Sequence, residues 1–175
     1  TGASVPVPSE ANVKALLTRF PAYQAELSLL GRCGPQLADL LTGAVDPLHL
    51  LFPNGSLSAV EALYQDAPFA RVYNTLIQQT IAAALENLPD GRRLRILEIG
   101  AGTGSTTAYL LPHLPAGRTD YVFTELSPLF LEQAKEKFAA YPFVRYQLLD
   151  IEQPPPAESY DIVVAANVLH ATTDL

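Results

Sequence analysis

The chain has one cysteine, Cys33, in 175 residues. A single thiol cannot close an internal disulfide, and it excludes a zinc centre built from cysteines. Basic residues are also scarce. Eleven Lys and Arg stand against 18 Asp and Glu, for a formal charge of −7. A nucleic-acid backbone needs a basic face, so no nucleic-acid partner is expected. No apolar run reaches the length needed to span a bilayer, and no basic-then-apolar leader opens the chain. The expectation is a cytoplasmic protein that works without a membrane. Charged residues make up only 17% of the chain against 49% hydrophobic, the opposite of a disordered composition and enough for a sizeable core. The length has room for one ordinary domain, or one domain with a small appendage.

Proline is plentiful, 15 in all, and it punctuates the chain. Residues 1–9, TGASVPVPS, carry two prolines and no periodicity and read as a linker. A chain that opens on a linker is expected to continue something longer. Residues 10–68 read as an irregular helical subdomain. Val13, Leu16, Leu17 and Phe20 recur at helical spacing before Pro21. Leu27, Leu29 and Leu30 continue an apolar face that Gly31 and Gly34 are expected to break. Residues 46–56, with Pro47, Pro53 and Asn54-Gly55, read as turn-rich. From Phe69 to Leu88 one apolar stripe, including Val72, Leu76, Ile81 and Leu85, makes the clearest helix.

Beyond that helix the grammar changes. Short apolar runs at Leu94–Gly100, Asp120–Leu126, Val144–Asp150 and Tyr160–Leu169 alternate with helices at about Ser105–Leu114 and Ser127–Ala140. A proline-rich loop, IEQPPPAES, precedes the last run. Apolar strands alternating with helices imply a parallel sheet covered on both faces. Residues 69–175 are therefore expected to form an α/β core.

The run E-I-G-A-G-T-G, Glu98 to Gly104, lies between a strand and a helix. That context favours a ligand-binding loop over a plain turn. Its spacing is G-x-G-x-G. Ser105 stands where a dinucleotide fingerprint wants glycine, and no lysine follows as a phosphate-cradling loop would need. Glu125 ends the second run, where a carboxylate can accept from both hydroxyls of a ribose. Asp150 ends the third run. It reads either as a turn residue or as an acceptor for an adenine amine, with Ile151 stacking on the ring.

These pieces resemble a class I S-adenosylmethionine-dependent methyltransferase: L-E-I-G-A-G-T-G, then T-E-L-S-P, then L-L-D-I-E, then Y-D-I-V-V-A-A-N-V-L-H-A-T. With R-C-G-P-Q-L and D-P-L-H-L-L-F-P-N-G-S upstream, the chain from about Leu16 resembles the C-methyltransferase domains of modular type I polyketide synthases. The resemblance implies a Rossmann-like core, of which only the first four strands are present, under an α-helical lid. It implies S-adenosylmethionine as cofactor, with Glu98, Gly100, Gly102 and Gly104 around its methionine moiety. Glu125 would hold the ribose, Asp150 and Ile151 the adenine, and Asn167 would lie beside the cofactor. An acidic loop suits a sulfonium that has no phosphate. The implied partners are an acyl carrier protein bearing the substrate and the neighbouring synthase domains.

Of the three histidines, His49 and His113 read as structural. His170 follows the fourth run, at the edge where open α/β sheets place ligands. From position alone it reads equally as structural or catalytic. Carbon methylation needs a base at the α-carbon, and neutral imidazole suits that transfer near pH 7. The resemblance makes His170 that base, oriented by a glutamate further along than Leu175, so the 175 residues alone are expected to be inactive. Tyr64, Tyr73 and Asn74 flank the junction of lid and core, where tyrosine either packs or contacts substrate. O-methylation by the same lineage and a non-catalytic scaffold are the competing expectations. No metal is expected.

Overall fold

The computed structural model describes residues 10–86, 88–154 and 157–173. The linker expected over residues 1–9 lies outside the described residues. The chain divides between Val72 and Tyr73 into two units.

The first unit contains only helices and turns among its described residues. They are α1 (Glu10–Arg19), α2 (Gln24–Cys33), α3 (Leu37–Leu41), α4 (Pro47–Leu51), α5 (Ser58–Gln65) and the start of α6 (Pro68–Glu86). One expectation is corrected here and one is refined. Gly31 does not break α2, which runs through it to Cys33, since an isolated glycine weakens a helix by only about 1 kcal/mol. The helix stops instead at Gly34 and Pro35. Residues 46–56 are not all turn. Asp46 caps α4 by accepting from the Leu48 N–H at 2.9 Å, and Pro47 sits at the first helical position, a start signal as much as a turn signal. Arg32 donates to the Leu50 carbonyl at 3.0 Å and ties α2 to α4.

The second unit holds the sheet. Its strands are β1 (Leu94–Ile99), β2 (Thr119–Glu125), β3 (Val144–Leu148) and β4 (Ile162–Ala165), all parallel, in the order β3-β2-β1-β4. Between them lie α7 (Ser105–Leu110) and α8 (Pro128–Lys137). Helix α7 ends four residues before the expected Leu114. Pro112 has no N–H, so the chain tightens into a 3-10 turn over Leu111–His113. The fourth strand is also shorter than expected. It pairs only with β1, from Ile96↔Ile162 to Ile99↔Ala165, and β1 ends there.

The register assigns every side chain to a face. Ile96 pairs with Tyr121, Glu98 with Phe123 and with Val164, so these five share one face. That face packs against Ile81 of α6, Leu110 of α7, Leu131 and Ala134 of α8, and Phe138 just after it. Burying each large apolar side chain there contributes roughly 1.5–3 kcal/mol. The other face carries Arg95, Asp120 and Arg145. From β3 the chain must return past β2 and β1 to reach β4, and right-handed crossing sends it over this second face. Among its described residues the crossing, which is the proline-rich segment, contains no helix. Glu158 meets Arg95 at 2.7 Å and Arg145 at 3.7 Å, and Arg145 pairs with Asp120 at 2.8 Å.

Candidate functional site

The four strands end at one edge of the sheet, at Ile99, Glu125, Leu148 and Ala165. That carboxyl edge is where open α/β sheets bind ligands. All three glycines of the loop after β1 have left-handed backbone, with φ of +58° at Gly100, +55° at Gly102 and +70° at Gly104. Their surroundings differ. A Cβ on Gly100 would fall on Val168, and one on Gly104 would fall on the Phe138 ring. A Cβ on Gly102 would meet nothing nearer than the Gly100 carbonyl, at 3.9 Å. Gly100 and Gly104 are thus required by packing, whereas Gly102 presents bare backbone to open space.

Glu125 latches this loop. One carboxylate oxygen accepts the Gly102 N–H at 2.9 Å. The other accepts from Leu126 at 3.0 Å and Ser127 at 3.3 Å, at the start of α8. Ser127 occupies the cap position, but its side chain makes no capping bond. A carboxylate offers about four acceptor positions. Three are engaged by backbone, and the half-buried side chain keeps an open side. The loop is held further by the Ala101 N–H on the Thr124 carbonyl at 2.9 Å and by Lys137 on the Thr103 carbonyl at 3.2 Å. Asn74, buried on α6, accepts from Thr106 at 2.9 Å and fixes the first turn of α7.

Glu98 turns away from the loop's open side. It is 1% exposed, and its side chain shares the core face with Ile96 and Tyr121. One carboxyl oxygen accepts from Thr107 at 2.5 Å and from Tyr121 at 2.6 Å. Burial pushes its pKa from 4.5 up to about 7, against the pull of those two hydroxyls. Burial and the neighbouring Glu98 likewise push the Tyr121 phenol well above its ordinary value, so it remains a donor. Composition gave no sign of Thr107 or Tyr121. Aligning the two strands in parallel register would have put Tyr121 on the face of Glu98.

Asp150 forms a local turn. Its carboxylate accepts from the Glu152 N–H at 3.0 Å and from the Gln153 amide at 3.4 Å. Ile151 follows, half-buried. After β4, Asn167 adopts φ +54° and is exposed, and His170 is exposed on a 3-10 turn over Leu169–Ala171. The Thr173 N–H donates to Glu152 at 2.6 Å, which joins the segment after β4 to the turn after β3. One edge therefore gathers the glycine loop, Glu125, Asp150, Ile151, Asn167 and His170. Tyr64 lies in the first unit and is exposed, as is Tyr73 at the start of the second. His49 and His113 are also exposed. Among the described residues no three His, Cys, Asp or Glu are grouped to hold a metal. No described helix is long and apolar enough to cross a membrane.

A family described as "Methyltransferase domain" matches residues 97–175. The chain is 45% identical to the crystallised CurJ carbon methyltransferase, with a TM-score of 0.91 over 98% of this chain and 47% of that one. It is 35% identical to the CMeT domain of the citrinin polyketide synthase, with a TM-score of 0.88 over 97% of this chain and 48% of that one. The trans-methyltransferase CalH, solved in complex with SAH, is 33% identical, with a TM-score of 0.66 over 93% of this chain and 46% of that one. Among curated proteins, the non-reducing polyketide synthase ausA of Penicillium brasilianum is 42% identical over 167 residues, 91% of this chain and 7% of that protein. The chain thus spans under a tenth of the length of the curated relatives it matches.

Proposed function

We propose, because residues 97–175 match the methyltransferase-domain family and the chain is built like the carbon methyltransferases of polyketide synthases, that it methylates the α-carbon of a β-ketoacyl thioester on an acyl carrier protein. The chain is an S-adenosylmethionine-dependent methyltransferase, and the bound cofactor supplies an electrophilic methyl group on a sulfonium. The groups present fit that ligand. Gly102 bares its backbone, Glu125 offers acceptors to a diol, and residues 100–105 carry no lysine or arginine to anchor a phosphate. In this reading Glu125 holds the ribose, and Asp150 and Ile151 flank the adenine. Gly100, Gly102 and Asn167 border the methionine end. Gly104 and Glu98 act by packing the loop rather than by touching the ligand.

His170 takes the proton from the substrate α-carbon. It is exposed at the same edge, and imidazole is the side chain suited to that transfer near neutrality. Tyr73 contacts the acyl chain. The working partners are the carrier protein and adjoining synthase domains, in the cytoplasm. The observation that carries the reading is the glycine loop latched to Glu125 with Gly102 left open.

The test presents the intact protein with a β-ketoacyl and a β-hydroxyacyl carrier substrate and follows mass gain. Methyl on carbon, from the keto substrate alone, is expected. His170→Ala should lower transfer on the order of a hundredfold while calorimetric binding of the demethylated cofactor holds. Methyl on the hydroxyl oxygen would assign O-methylation instead. An undiminished rate in His170→Ala would place the base elsewhere.

A further inference from the structure

We propose that Val168 is a positioning residue: its side chain, wedged against Gly100, sets the place of His170 relative to the cofactor loop. The inference rests on the reading of His170 as the base.

Strand β4 ends at Ala165, and the chain must change direction before His170. Asn167 makes the change, with φ +54°, a left-handed region that asparagine visits more readily than most L-residues. The next residue, Val168, thereby comes onto the glycine loop. The Cβ that Gly100 lacks would lie 2.9 Å from the Val168 Cβ and 3.5 Å from its Cγ1, with Cγ2 nearer still. The isopropyl group thus fills the space that a side chain at residue 100 would take. Valine is suited to the task because β-branching leaves it little rotamer freedom.

The wedge acts directly on the histidine turn. The Val168 carbonyl accepts the Ala171 N–H at 2.9 Å, so Val168 opens the 3-10 turn that contains His170. Thr172 closes the turn, its hydroxyl donating to the Leu169 carbonyl at 2.7 Å. The far end is tethered separately, by the Thr173 N–H on Glu152. His170 therefore sits between two anchors. One rests on the loop after β1 and the other on the turn after β3. A shift of Val168 moves the imidazole with respect to both.

Size complementation tests the contact without reference to turnover. Gly100→Ala alone should lower the thermal midpoint and weaken calorimetric binding of S-adenosylhomocysteine. Adding Val168→Ala to it should recover part of both losses, because the nearest colliding atom, Cγ2, is removed while the Cβ at 2.9 Å stays. Alone, Val168→Ala should lower kcat by about tenfold or more, the scale of a misplaced group, while KM for the carrier substrate and S-adenosylhomocysteine binding stay within about twofold. Val168→Thr, which keeps the branched shape, should restore kcat to within about threefold. Strict additivity of the two alanine losses would overturn the proposal, as would unchanged kcat in Val168→Ala. Retained activity in His170→Ala with complementation intact is a different failure. It would refute the base assignment, and the positioning role with it, while leaving the contact as packing alone.

Discussion

Replacing Glu98 by glutamine removes one proton-binding group from the core and keeps its shape. The folded chain holds this carboxyl at about 7 against an ordinary 4.5, chiefly because burial penalises the charged form. That gap corresponds to about 3 kcal/mol. The sign follows from linkage: the unfolded chain releases the proton first as pH rises. The stability is therefore complete below 4.5, declines as pH climbs through about 7, and is flat above. Between pH 5 and pH 8 the natural chain should lose about 2–3 kcal/mol through this group. Glu98→Gln should lose none of that part, since the amide mimics the protonated acid toward Thr107 and Tyr121. Urea unfolding at the two pH values, followed by circular dichroism, measures the difference, and titrations elsewhere cancel between the two proteins. Equal pH dependence in both would refute the assignment of a neutral buried acid.

Glu125→Ala should weaken calorimetric binding of S-adenosylhomocysteine by about 1–3 kcal/mol, since the hydroxyl acceptor and the loop latch are lost together. Gly104→Ala should destabilise the fold by about 2–4 kcal/mol in thermal melts, from left-handed strain and collision with Phe138. Gly102→Ala should cost only the strain, about 1–2 kcal/mol, yet weaken cofactor binding by about tenfold or more, because its Cβ enters space left for ligand. Comparable stability losses at the two glycines would contradict this division of labour.

Much of this architecture was legible in order of residues. The alternation of apolar runs and helices predicts the four parallel strands, and all start within two residues of the expected positions. The three glycines predict a loop of special backbone, and their φ values bear this out. What was hidden depends on partners distant in sequence. The direction of Glu98 follows from pairing β1 against β2, and no periodicity within β1 alone announces it. The short helix at Pro47–Leu51 is hidden in a turn-rich segment because Asp-Pro serves as a helix start as well as a turn. The Asp150 turn matches the plainer of its two expected roles, as local turns are written in local sequence. Val168 looked like one more strand residue, and only its approach to Gly100 sets it apart.

The Glu125 latch has a bearing on turnover. Three of its roughly four acceptor positions already serve N–H groups of Gly102, Leu126 and Ser127, so in the proposed role a ribose hydroxyl would take the one that remains. In that role, demethylated product, which carries the same ribose, would receive the same grip. Such an interaction is uniform along the reaction and does nothing to favour the transition state. The departing ligand would leave behind a carboxylate still held in place by its three backbone donors.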